Sequence, residues 1–153
     1  MSFELSRLRG GEVIAGTGSV ILLASLFVLP WYRVGAAVSL DGWHGLTHLR
    51  WLSLVTVIAG AALVYLQAAR RAPALPVTVS VFVTVVGALT ALWLIYRVLI
   101  DPPSGQQVGA YVGLLGACAI AYGGYASMRQ EGIATADEPQ EIPTVGLPGQ
   151  DGS

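Results

Sequence analysis

The chain has 153 residues, of which 54% are hydrophobic and only 11% charged, and its formal net charge is −1. Soluble domains carry about 25% charged residues, and nucleic-acid-binding domains usually show a clear basic excess. The composition therefore excludes an ordinary soluble domain, a disordered chain and a nucleic-acid binder, and it leaves a small helical membrane protein.

Four apolar segments predict an all-α membrane protein, a four-helix transmembrane bundle formed by residues 1–129. Each segment is long enough for the roughly 20 residues that cross a bilayer. Asp41 is a good N-cap for the second helix, Pro76 suits the first turn of the third, and Pro102 disfavours its continuation. A cleaved signal peptide is the alternative for the first segment, although its apolar run exceeds the usual 7–15 residues or so. The predicted helices cover about residues 11–32, 42–70, 76–100 and 107–129.

Residues 130–153 differ sharply from the rest of the chain. They are polar, rich in proline and glycine, and acidic, without a basic residue. Such segments bury too little apolar surface to fold, so we expect a disordered acidic tail.

The arginines predict the orientation in the membrane. Four spans place both termini on one side, and the side richer in Lys and Arg faces the cytoplasm. All eight basic residues are arginine. We therefore expect both termini, and the tail, in the cytoplasm of a bacterium, with the protein in its cytoplasmic membrane. The inner side would hold Arg7, Arg9, Arg70, Arg71 and Arg129, and the outer side Arg33, Arg50 and Arg97.

Small residues recur every four positions along the last predicted helix. Gly109, Gly113, Ala117 and Ala121 share one face, and small residues let transmembrane helices approach closely. We expect this face to pack inside the bundle, and a homodimer interface is the alternative.

Aromatic and arginine side chains concentrate at the predicted outer ends of the helices. Such side chains could hold a lipid headgroup or a loop of a partner, although any bilayer interface is rich in them. The candidate outer surface consists of Trp31, Tyr32, Arg33, Trp43, Trp51, Trp93, Tyr96, Arg97 and Tyr111.

The same region contains a weak candidate metal site. His44 and His48 lie four residues apart, so on one helix they would share a face, and Asp41 precedes them. Two histidines lack a third strong ligand unless Asp41 contributes. Two polar residues at the membrane boundary are the simpler interpretation, and we predict no bound metal or cofactor.

Ionisable residues avoid the central half of every predicted span, which argues against a proton-coupled transporter. Glu12 lies at the cytoplasmic edge of the first span, where a carboxylate is favourable in the first helical turn. The sequence shows no nucleophile–base pair, phosphate-binding loop or carboxylate dyad, so no catalytic residue is predicted.

Several segments carry a family resemblance. They are GGEVIAG, SLFVLPWY, APALPVTVSVFVTVVGAL, YRVLIDPPSG and GAYVGLLGACAIAYGGYASMRQEG, spread over about residues 10 to 132. This pattern resembles small four-span integral membrane proteins of high-GC Gram-positive, actinobacterial-type bacteria. The resemblance implies four spans and supplies no catalytic residues.

These observations predict a non-enzymatic integral membrane protein, a structural or interaction subunit of the cytoplasmic membrane. Its partners would be membrane lipids and a protein partner or further copies of the chain. The alternatives are a binder of a lipid or other amphiphile between the outer helix ends, and a small oligomeric transporter built around Glu12.

Overall fold

A computed structural model describes residues 10–35, 38–69 and 77–136. It confirms the predicted four-helix bundle, because four helices are long and apolar enough to cross a membrane. The long helices are α1 (Gly10–Phe27), α3 (Leu49–Ala69), α4 (Val77–Ile95) and α5 (Val108–Ala136). The last of them continues beyond the predicted start of the tail at residue 130, and residues 137–153 lie outside the described part.

The four long helices form a closed ring. Each packs on the helices before and after it in the chain, and α5 closes the ring by packing along α1. The α1–α5 contact is close because glycines face each other: a Cβ atom at Gly18 would lie 2.8 Å from the Gly116 carbonyl oxygen. Buried threonine hydroxyls link the other side of the ring, where the side chains of Thr56 and Thr90 are 2.6 Å apart.

The first predicted helix begins where expected but was predicted too long, since α1 ends at Phe27 rather than at residue 32. Pro30 has no N–H to donate and disfavours helical continuation. The chain instead forms strand β1 (Pro30–Val34), which pairs antiparallel with β2 (Val38–Asp41) in a hairpin.

The second predicted helix, residues 42–70, is interrupted. Asp41 is an N-cap as predicted, and its carboxylate accepts a hydrogen bond from the His44 backbone N–H at 3.1 Å. The helix that it caps is only α2 (Gly42–Gly45), after which the chain turns and α3 begins at Leu49. The backbone leaves the helical conformation at Leu46 (φ −102°, ψ 72°), so the two helices do not merge, and the Leu46 side chain is buried in the core.

The third predicted helix ends where expected, at Ile100, but its last turn is wider than an α-helix. Residues Tyr96–Ile100 form a π-helical turn, and the Asp101 N–H donates to the Tyr96 carbonyl oxygen at 2.8 Å. A short loop then leads to α5. We call the end of the bundle that carries β1, β2 and α2 the hairpin end, and these three elements the cap.

Candidate functional site

Trp31 anchors the cap to the bundle. Its side chain is fully buried, and its indole N–H donates to the Ser25 carbonyl oxygen at 2.7 Å. The Ser25 hydroxyl in turn donates to the Gly109 carbonyl oxygen, also at 2.7 Å. The indole ring fills the space that the missing side chains of Gly42 and Gly113 leave open. One side chain therefore joins α1, α2 and α5 at the hairpin end.

The loop before α5 pairs with the other edge of β1. The Arg33 N–H donates to the Gly105 carbonyl oxygen at 2.7 Å, and the Gln107 N–H donates to the Trp31 carbonyl oxygen at 2.8 Å. With its amide oxygen turned toward Arg33, the Gln107 side chain accepts from the guanidinium at 3.0 and 3.2 Å. The cap is thus hydrogen-bonded to the loop as well as packed on the helices.

Tyr32 is the second buried aromatic residue of the cap. Burial raises the pKa of its hydroxyl above the ordinary value, and the nearby positive charge of Arg97 offsets this only in part. The phenol is therefore neutral at physiological pH. Its oxygen lies beside the Arg97 guanidinium but outside good hydrogen-bond geometry, and it has no hydrogen-bond partner within the described ranges.

The candidate outer surface needs correction at two positions. Trp31 and Tyr32 belong to the core, because the hairpin folds back over the helix ends, and they offer nothing to a ligand. The remaining candidates are exposed or half-buried and lie on different elements around the bundle. Arg33 is on β1, Trp43 on α2, Trp51 on α3, Trp93 on α4, Tyr96 and Arg97 on the π-helical turn, and Tyr111 on α5.

The structure brings the candidates Trp43 and Trp51 together with Phe27 and Arg50, a grouping that the sequence did not predict. Trp43 stacks on Phe27 with ring centroids 5.2 Å apart, and it meets Trp51 edge-on at 5.6 Å. The Arg50 guanidinium carbon lies 5.6 Å from the Trp43 ring centroid and 5.8 Å from that of Trp51. We call Phe27, Trp43, Arg50 and Trp51 the aromatic cluster.

Arg50 lacks an anionic partner in the described part of the chain. Asp41 pairs with His44, whose Nδ1 lies 2.5 Å from the carboxylate, and Asp101 pairs with Arg97 at 3.3 Å. The Arg50 Nε atom is itself buried without a hydrogen-bond partner. Among the described residues, its guanidinium lies beside the indole rings of Trp43 and Trp51, which favour a cation but do not neutralise it.

The predicted histidine pair does not share a helix. His44 lies in α2 and His48 in the turn before α3, so the spacing of four residues does not place both imidazoles on one helical face. Within residues 10–35, 38–69 and 77–136, no three His, Cys, Asp or Glu side chains are grouped so that they could hold a metal ion. Asp41 instead contacts His44.

Glu12 lies at the opposite end of the bundle, in the first turn of α1 as predicted. Its side chain is 1% exposed, and its carboxylate accepts a hydrogen bond from the Gln67 amide at 2.6 Å. The carboxylate is thus turned into the bundle between α1 and α3 rather than left at an open rim. It is a fixed group at the helix ends and far from the middle of any span.

The four small residues of α5 all contact the chain's own side chains or backbone. Gly109 and Gly113 face Trp31, and Ala117 is fully buried. Ala121 meets α4, where a Cβ atom at Gly87 would lie 2.9 Å from its backbone nitrogen. Intramolecular packing occupies this face.

Comparison with known proteins adds no family. The chain matches no protein-family model, no curated protein and no solved structure, so the resemblance to four-span proteins of high-GC Gram-positive bacteria stays a prediction.

Proposed function

We propose that the chain is a non-enzymatic interaction subunit of a bacterial cytoplasmic membrane, and that the cap binds a second membrane protein. This proposal rests on the exposed apolar side chains at the tip of the hairpin. Val34 and Val38 pair across it and are 57% and 56% exposed. They lie on an element that is fixed to the bundle by Trp31.

The edges of the hairpin support the same proposal. One edge of β1 pairs with β2, and its other edge is hydrogen-bonded to the loop before α5. The outer edge of β2 pairs with no strand among the described residues. A free edge beside apolar side chains favours the addition of an extended segment from another chain, so the partner would contribute such a segment outside the bilayer.

Several polar groups of the hairpin end support a non-enzymatic role, because structural contacts occupy them. His44 pairs with Asp41, Arg97 with Asp101, and Arg33 with Gln107. The hairpin end thus resembles a fixed binding surface more than a set of reactive groups.

In this proposal the hairpin end lies outside the cytoplasm, as predicted from the larger number of arginines on the opposite side of the membrane. A reporter enzyme that is active only outside the cytoplasm is expected to stay inactive when it is fused after Ser153. The same reporter inserted between residues 36 and 37, at the hairpin tip, should be active. The reverse result would overturn the orientation.

Photo-crosslinking tests the partner itself. A photoreactive amino acid at Val38 is expected to give one discrete cross-linked band in native membranes, larger than the chain and different from its dimer. The same amino acid at Tyr122, which is 60% exposed on α5, is the control and should give only lipid adducts. Equal band patterns at the two positions, or lipid adducts alone at Val38, would contradict the proposal.

A further inference from the structure

An apolar groove lies between α1 and α3. The groove has a volume of about 330 Å³ and is lined by Gly16, Ser19, Val20, Leu23, Val57, Ala61 and Val64. The groove is distinct from the hairpin edge to which the protein partner is assigned.

The spacing of the residues aligns the groove with the cluster. On α1, Phe27 follows Leu23 by four residues and Val20 by seven, which places the three on one helical face. On α3, Arg50 precedes Val57 by seven residues, which places the two on one face. With a rise of about 1.5 Å per residue, their Cα atoms are roughly 10 Å apart along the helix axis. The cluster and the groove therefore follow the same faces of α1 and α3. We call the two together the α1–α3 seam, with a cation at its hairpin end and the apolar groove about two helical turns beneath it.

We propose that this α1–α3 seam binds an anionic phospholipid from the leaflet at the hairpin end. The headgroup phosphate would pair with Arg50, and one acyl chain would lie in the groove. A guanidinium suits this role because its planar donors match the oxygens of a phosphate. The indoles of Trp43 and Trp51 flank the headgroup at the level where tryptophan normally sits in a bilayer.

The charges of the described residues select an anionic headgroup over a neutral one. The Arg50 Nε atom is buried without a hydrogen-bond partner. The described carboxylate nearest to Arg50 in sequence, that of Asp41, pairs with His44 and leaves the charge of Arg50 unpaired. A phosphodiester group beside the guanidinium would neutralise this cation. A zwitterionic headgroup brings its own ammonium group toward the same cation and gains less.

Lipid binding to the purified full-length chain tests the headgroup contact. The protein in detergent is titrated with phosphatidylglycerol and, separately, with phosphatidylcholine of the same acyl chains, and native mass spectrometry counts the bound lipids. We expect phosphatidylglycerol to bind at least tenfold more tightly, about 1.4 kcal/mol. Arg50→Gln should reduce this preference to about twofold or less, whereas Arg33→Gln, at an exposed arginine of the same end, should keep it.

A second pair of variants tests the groove without touching the cation. Ala61→Phe fills the groove and is expected to weaken phosphatidylglycerol binding about tenfold. Cys118→Phe adds the same ring to an exposed position on α5 and should leave binding unchanged. If Arg50→Gln does not fold, these two variants still test lipid binding in the groove, because they leave Arg50 in place.

Glycerol 3-phosphate separates a lipid from a soluble phosphate. It carries the headgroup chemistry without acyl chains, and we expect no competition with phosphatidylglycerol at millimolar concentration. Effective competition would assign the site to a soluble phosphate ester and contradict the proposal that it binds a phospholipid. Equal binding of the two lipids, or full binding by a folded Arg50→Gln or Ala61→Phe variant, would overturn the proposal as well.

Discussion

Replacement of Trp31 by alanine is expected to lower the free energy of unfolding by about 3–5 kcal/mol, the usual cost of truncating a large buried aromatic side chain. Trp31 is fully buried and is the largest side chain of the core. Its loss opens a cavity between α1, α2 and α5 and leaves the Ser25 carbonyl oxygen without the indole donor. Unfolding by sodium dodecyl sulfate in mixed micelles, followed by circular dichroism, measures the change.

The exposed tryptophans provide the control for this prediction. Trp93 is 56% exposed on α4, and Trp93→Ala is expected to change the free energy of unfolding by no more than about 0.5 kcal/mol. A collisional quencher should likewise reach Trp93 and not Trp31. Equal destabilisation by the two substitutions would show that the cap is not anchored through Trp31.

Gly113→Leu is expected to destabilise the monomer by about 3 kcal/mol or slightly more, at the upper end of the cost of overpacking a core. A Cβ atom at Gly113 would lie 2.7 Å from Trp31 Cη2 and 2.8 Å from the Ser25 hydroxyl oxygen. The leucine must therefore expel the indole or separate α5 from α1. Gly113→Ala should show the same effect to a smaller extent, and Cys118→Leu, at an exposed position of the same helix, should be nearly neutral.

The two substitutions should compensate each other. In the Trp31→Ala background the leucine side chain can enter the cavity that the indole has left, so Gly113→Leu should cost at least 1 kcal/mol less there, within the range of about 0.5–3 kcal/mol typical of contacting residues. Additive effects would argue against a direct contact. If Gly113→Leu only dissociated an oligomer and left the monomer as stable as before, the small-residue face would be an interface between copies of the chain.

The four spans were predictable because each rests on local composition. The length of an apolar run decides whether it can cross a bilayer, and no distant contact is needed to recognise Leu49–Ala69 or Val108–Gln130 as such a run. The end of the third span at Ile100 was predictable for a similar reason, since Pro102 and Pro103 follow closely.

The hairpin was not predicted because its stability comes from a distant helix. The segment from Pro30 to Val34 continues the apolar composition of the first span, and only Pro30 marks the change locally. Its fold depends on the space beside Gly113, more than 80 residues away, where the indole of Trp31 fits. A composition argument therefore places Trp31 in an interfacial belt, whereas the structure places it in the core.

The candidate site was predictable as a set of residue types but not as a grouping. Trp43 and Trp51 were recognised as aromatic residues at a helix end, and Arg50 as a basic one. That Phe27 joins them depends on how α1 and α3 pack and on the break after α2, which turns Trp43 toward Phe27. Spacing on one helix carries no information about such a contact between helices.

The pairing of the first long helix with the last has a consequence for biogenesis. Ser25 and its partner Gly109 are 84 residues apart, so at 5–20 residues per second the ribosome needs roughly 4–17 seconds to make the second after the first. During this time the glycine-rich face of α1 has no α5 to cover it. A nascent chain stopped before α5 would thus expose this face of α1 to lipid or to other membrane helices.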